Sequence, residues 1–113
     1  MSKSQARIKQ TGEVFTPHEL CLLMIRSIPE EKLKDSHSTY LDPSCGDGNF
    51  LVALLQVLTE EYGHNRDHVV DNQLYGIDIM EDNIEATKAR LGVPHDHPNF
   101  VCHDSLTYDY SFS

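Results

Sequence analysis

The sequence is poor in features that would assign it to several large classes of protein. It has no apolar run near the ~18–20 residues that a membrane-crossing helix needs. Its first residues, MSKSQARIKQTGEVF, contain no apolar core of the kind a secretory signal carries. Positive charge is also scarce: nine Lys and Arg stand against eighteen Asp and Glu, for a net charge of −9. Nucleic-acid affinity comes largely from basic side chains neutralising phosphates. The chain alone is therefore a poor binder of DNA or RNA, and contact with DNA is expected only within a larger assembly. There is no CxxC pair. Three cysteines, Cys21, Cys45 and Cys102, point to reduced thiols in a cytoplasmic protein. The His and Cys spacing matches no zinc signature, so no metal site is expected.

What is present fits one domain of 113 residues. Residues 1–12 are polar and read as a flexible arm. FTPHELCLLMIRSIP reads as a helix, with Thr16 as N-cap, Pro17 at the first helical position and Leu20, Leu23, Met24 and Ile28 on its inner face. EEKLKDSHS reads as a charged connector. A short strand over 39–41 leads into DPSCGDGNFL, residues 42–51, and the spacing predicts a helix over 49–62 with Phe50, Leu51, Leu54, Leu55 and Leu58 inward. A second strand over 73–77, a second crossover helix with Ile84, Ala89 and Leu91 inward, and a third strand over 100–102 follow. This alternation predicts an α/β fold: a Rossmann-like half-sheet of parallel strands in the order 3-2-1, with crossover helices on one face and a helix at the N-terminus.

In such sheets ligands bind beyond the carboxyl ends of the strands. Three polar clusters fall there. In DPSCGDGNFL, Gly46 and Gly48 permit a sharp turn and close approach of a ligand, and the loop feeds a helix N-terminus at Asn49. Asp42 and Asp47 would repel a pyrophosphate, so a guest with a positive amino or sulfonium group fits better. The plainer alternative is a strand-to-helix turn that needs Gly for geometry and Asp for capping. In YGIDI, Asp78 is placed to accept from ribose hydroxyls and Ile79 to cover a base, although an Asp there can also simply cap the next helix. In CHDSL, Asp104 can accept from the exocyclic amine of a base or merely form a turn. A nucleophilic role for Cys45 would need a placed histidine base, which the sequence does not identify.

Taken together, TGEVFTP (11–17), DPSCGDGNFL, YGIDI and the strand ending in HDSL resemble the S-adenosylmethionine-dependent adenine-N6 DNA methyltransferases of restriction–modification systems and phages. The match spans roughly residues 9–106. The resemblance implies S-adenosylmethionine as cofactor. It implies that Thr11, Thr16 and Pro17 lie at the methionine carboxylate, and that Asp42, Pro43, Gly46 and Gly48 wrap the methionyl and ribose parts, with Asp42 toward the ammonium. By the same resemblance Asp78 would hold the ribose hydroxyls, Ile79 would pack on the adenine, and Asp104 would accept from the adenine amine.

The family's catalytic motif, an Asp/Asn/Ser-Pro-Pro-aromatic loop after a fourth strand, has no counterpart. Prolines stand at 17, 29, 43, 94 and 98, none adjacent, and the sequence ends nine residues after Asp104. No catalytic residue is therefore expected here. The expected function is the cofactor-binding portion of such an enzyme, not competent alone. The alternative is a non-catalytic, methyltransferase-like partner of a host modification enzyme. With no fourth strand beside it, the first strand should offer an open edge to a second copy or a partner subunit, with the aromatic tail (Tyr108, Tyr110, Phe112) available to cover it.

Overall fold

The structure, a computed structural model, describes residues 16–112. Helix α1 is His18–Arg26 and a short α2 is Glu30–Lys34. Strand β1 (Tyr40–Asp42) leads through the glycine loop into α3 (Asn49–Glu60). Then come α4 (Arg66–Asn72), β2 (Leu74–Asp78), α5 (Glu81–Leu91) and β3 (Phe100–Cys102). The three strands form one parallel sheet in the order β1-β2-β3, with Tyr40 opposite Leu74 and Gly76 opposite Phe100. This is the Rossmann-like half-sheet that the alternation predicts.

The register puts Tyr40, Leu74, Gly76 and Phe100 on one face of the sheet, and α3 seals that face with Leu51, Leu54 and Leu58, all fully buried. Approach is closest at Gly76. A Cβ there would lie 2.9 Å from Leu51 Cδ1 and 3.2 Å from Cys45 Sγ. Glycine in mid-strand normally weakens a sheet, but here it lets helix and loop settle onto the strand. The opposite face carries Leu41 and Tyr75. Over it lies the tail: Phe112 packs on Tyr75 with ring centroids 5.0 Å apart, and Tyr108 packs on Phe112 at 5.2 Å. Tyr110 and Phe112 also border a groove with Thr39, Tyr40 and Leu41.

Several local expectations are corrected. The N-cap of α1 is Pro17, with no side-chain capping bond, and Thr16 lies just before it. The inward residues of α1 are Cys21 and Ile25, while Leu20, Leu23 and Met24 are exposed. The helix is apolar on two flanks, and packing on α3 selects the Cys21–Ile25 stripe. On α5, Ile84 and Leu91 are buried as expected, but Ala89 is exposed and Thr87 and Lys88 take the inner positions. The stretch read as a charged connector contains α2, whose Leu33 is buried. The unforeseen α4 buries Val69 and Val70 and is capped by Asn65, whose Oδ1 accepts from His68 N at 3.0 Å. Strands β1 and β2 have the expected lengths but each lies one residue further along, at Tyr40–Asp42 and Leu74–Asp78. The 1–12 arm and Thr11 lie outside the described residues. Among the described residues no helix is long and apolar enough to cross a membrane.

Candidate cofactor site

The site grows from the end of β1. The loop after Asp42 turns back on the sheet, with Cys45 N donating to Ile77 O at 2.9 Å and Gly48 N to Cys45 O at 2.9 Å. Gly46 (φ +56°) and Gly48 (φ +94°) take left-handed conformations that side chains resist. A Cβ on Gly48 would also come within 3.0 Å of Thr87 Oγ1. Thr87 in turn donates to Gly46 O at 3.1 Å, so α5 fixes the loop from behind. Val52 N donates to Gly48 O at 2.8 Å, which starts α3 directly from the loop.

Thr16, Asp42, Ser44, Cys45, Gly46, Asp47, Asn49 and Phe50 line a concavity of about 250 Å³, its open mouth included. Asp42 is half-buried, and its Oδ1 accepts from Ser44 N at 3.1 Å. Burial first, and the nearby Asp78 charge after the opposing Ser44 bond, hold its carboxyl above the usual aspartate range. Among the described residues no Lys or Arg pairs with it. An acid without a cationic partner among the described residues, and partly desolvated, is suited to a cation.

Asp78, 6% exposed, ends β2 and ties the site together. Its Oδ2 accepts from Gly46 N at 2.9 Å, and its Oδ1 from Met80 N at 2.8 Å and Asn83 Nδ2 at 3.1 Å. A carboxylate has about four acceptor positions, so these bonds leave room on Oδ2 for one more donor. Asp78 is not the cap of α5, whose N-cap is Met80 with no side-chain capping bond. It holds the turn before that helix through Met80 N and anchors the glycine loop to β2 through Gly46 N. Ile79 beside it is 66% exposed, an apolar side chain held out from the carboxyl edge of the sheet.

The other predicted residues are spread more widely. Pro17 and Pro43 are exposed, Pro43 in the turn after Asp42. Asp104 is exposed and does not line the concavity; its Oδ1 accepts from Leu106 N at 2.9 Å in a tight turn. Cys45 is buried against Gly76 and Thr87. Burial above all, with the Asp42 charge adding, pushes its thiol up to about 12, so no reactive thiolate forms there.

Sequence reasoning placed the backbone of Asn49 at the site but missed its side chain and Arg90. Arg90 Nη1 donates to Asn49 Oδ1 at 2.7 Å and to Asp47 O at 3.0 Å, and Asn49 Nδ2 donates to Thr16 O at 2.8 Å. Asp47 Oδ1 is buried without a well-formed hydrogen bond, its nearest cation being Arg90 Nη1 at 3.3 Å. No periodicity links position 90 to position 47; only the crossover brings them together.

A parallel strand–helix sheet with a glycine loop and acids gathered at its carboxyl edge defines a Rossmann-like half-sheet, the kind of fold whose ligands lie beyond the strand ends. The chain matches the family model of N-6 DNA methylases over residues 1–109, and it belongs to that family. Its function is accordingly methyltransferase-related, within a family that generally uses S-adenosylmethionine. No curated protein matches the sequence.

Proposed function

We propose that the chain binds S-adenosylmethionine as the cofactor half of an adenine-N6 DNA methyltransferase, with the loop that holds the target amine supplied from outside these 113 residues. The observation that carries this reading is Asp42: a partly desolvated acid, without a cationic partner among the described residues, in a concavity lined by a glycine loop. A phosphate would be repelled there, whereas the ammonium and sulfonium of the cofactor would relieve the acid. Asp42 and the Thr16 wall would face the amino-acid end, the remaining acceptor position of Asp78 would take a ribose hydroxyl, and Ile79 would lie under the base. Asp104 would reach the adenine amine only if its present turn opened. When bound, the cofactor supplies an activated methyl group. Titration calorimetry with S-adenosylmethionine and S-adenosylhomocysteine should give saturable binding, and the absence of heat at millimolar ligand would sink the reading.

A second feature bears on assembly. Among the described residues strand β1 pairs only with β2, and Leu41 is exposed on it. An open central strand of this kind invites pairing. The proposal extends to a partner subunit or a second copy along β1, and a partner that brings basic surface would offset the −9 charge that weakens DNA binding. The same edge would serve a non-catalytic chain that docks onto a host modification enzyme. Sedimentation velocity should reveal dimers or, mixed with the cognate modification subunits, a heteromeric complex. A strictly monomeric species under both conditions refutes the assembly proposal.

A further inference from the structure

The contacts of Arg90 point beyond simple packing. An Asn side chain carries a donor and an acceptor of nearly identical shape, and which way it faces is decided by its neighbours. At Asn49 the guanidinium decides. Arg90 Nη1 donates to Oδ1 at 2.7 Å, so Nδ2 must face the other way, where it donates to Thr16 O at 2.8 Å. Thr16 and the Asp42–Asp47 loop both line one concavity, and this Asn49 bond ties Thr16 to the start of α3 beside the loop. The same nitrogen of Arg90 donates to Asp47 O and stands 3.3 Å from Asp47 Oδ1. Asp47 is thereby compensated, and Asp42 is left as the acid of the lining with no cationic partner among the described residues.

We propose that Arg90 is a positioning residue for the cofactor site: through Asn49 it fixes the Thr16 wall against the glycine loop, and through Asp47 it directs the negative charge of the concavity to Asp42. Arg90 itself touches no ligand. This inference rests on the reading of the concavity as the grip for the amino-acid end of S-adenosylmethionine. Its effect should therefore depend on whether a ligand possesses that end.

The test compares two ligands on the wild type, Arg90→Met and Arg90→Lys. S-adenosylhomocysteine carries the amino-acid end, and 5′-methylthioadenosine lacks it. Arg90→Met should weaken S-adenosylhomocysteine by about tenfold, the worth of one charge-assisted hydrogen bond. It should leave 5′-methylthioadenosine within about twofold. Arg90→Lys, which retains a donor and the charge beside Asp47, should recover most of the loss. Equal weakening of both ligands would show a general structural role and overturn the proposal, as would unchanged binding of both. A ligand-free arm separates this inference from the reading beneath it. In nuclear magnetic resonance spectra, the Asn49 side-chain amide should be protected from exchange in the wild type and unprotected in Arg90→Met. If the wild type binds neither ligand, the cofactor reading falls; if the Asn49 amide stays protected without Arg90, the positioning role falls on its own.

Discussion

Asp42→Asn should make the protein more stable and a worse binder at once. The carboxylate is half-buried, accepts one backbone hydrogen bond from Ser44, and has no cationic partner among the described residues. Asn keeps the Oδ1 acceptor and removes the charge. Because burial raises the folded pKa of Asp42 above its unfolded value, the native state binds more protons than the unfolded state between the two values. Wild-type stability therefore falls as pH rises through that window, and the full penalty is present at neutral pH. The gain from Asp42→Asn should be largest at pH 7, about 0.5–2 kcal/mol, the range of stabilising single substitutions at functional positions. It should shrink as pH falls through the raised folded pKa toward the ordinary aspartate range. Affinity for S-adenosylmethionine should drop by about 1.5–3 kcal/mol, as for loss of a hydrogen bond to a charged group. Thermal melts across pH 4–8 with parallel calorimetry check both halves, and a less stable variant with intact binding would overturn the argument.

Asp78→Ala should differ in the sign of its stability effect, losing stability and binding together. Three donors, Gly46 N, Met80 N and Asn83 Nδ2, converge on one nearly buried carboxylate. Truncation strands them and also releases the glycine loop from β2. The expected cost is about 2–4 kcal/mol, against about 1 kcal/mol for a typical substitution. Asp78→Asn keeps one acceptor but sets an amide donor against another N–H, so it should fall between Ala and the wild type. Denaturant midpoints would decide, and an Ala variant within about 0.5 kcal/mol of wild type would contradict the anchoring role.

The sequence made α3 easy to read because Leu51, Leu54, Leu55 and Leu58 leave one face no alternative but the core. It made α1 easy to misread because its apolar residues form two adjoining stripes, and periodicity cannot say which one meets α3. Helix α4 is seven residues long with one buried pair, too short to produce a pattern. The acids at the strand ends were legible because a parallel sheet puts strand ends on one edge. That Asp78 already serves the protein through three bonds was not, since two of its donors belong to backbone whose course depends on the fold. Arg90 and Asn49 are separated by forty-one positions. Each alone looks like an ordinary surface residue.

The sheet also sets the order in which the molecule can assemble. Tyr40 meets Leu74, Gly76 meets Phe100, and no strand pairs with a close neighbour in sequence. Each pairing must close a long loop before any ladder bond rewards it, which slows folding relative to a helical bundle of the same size. The crossover helices shorten those loops when they form early. Weakening α3 at an exposed position such as Gln56→Gly should therefore slow refolding more than it speeds unfolding, which places the kinetic bottleneck in α3 before the sheet closes.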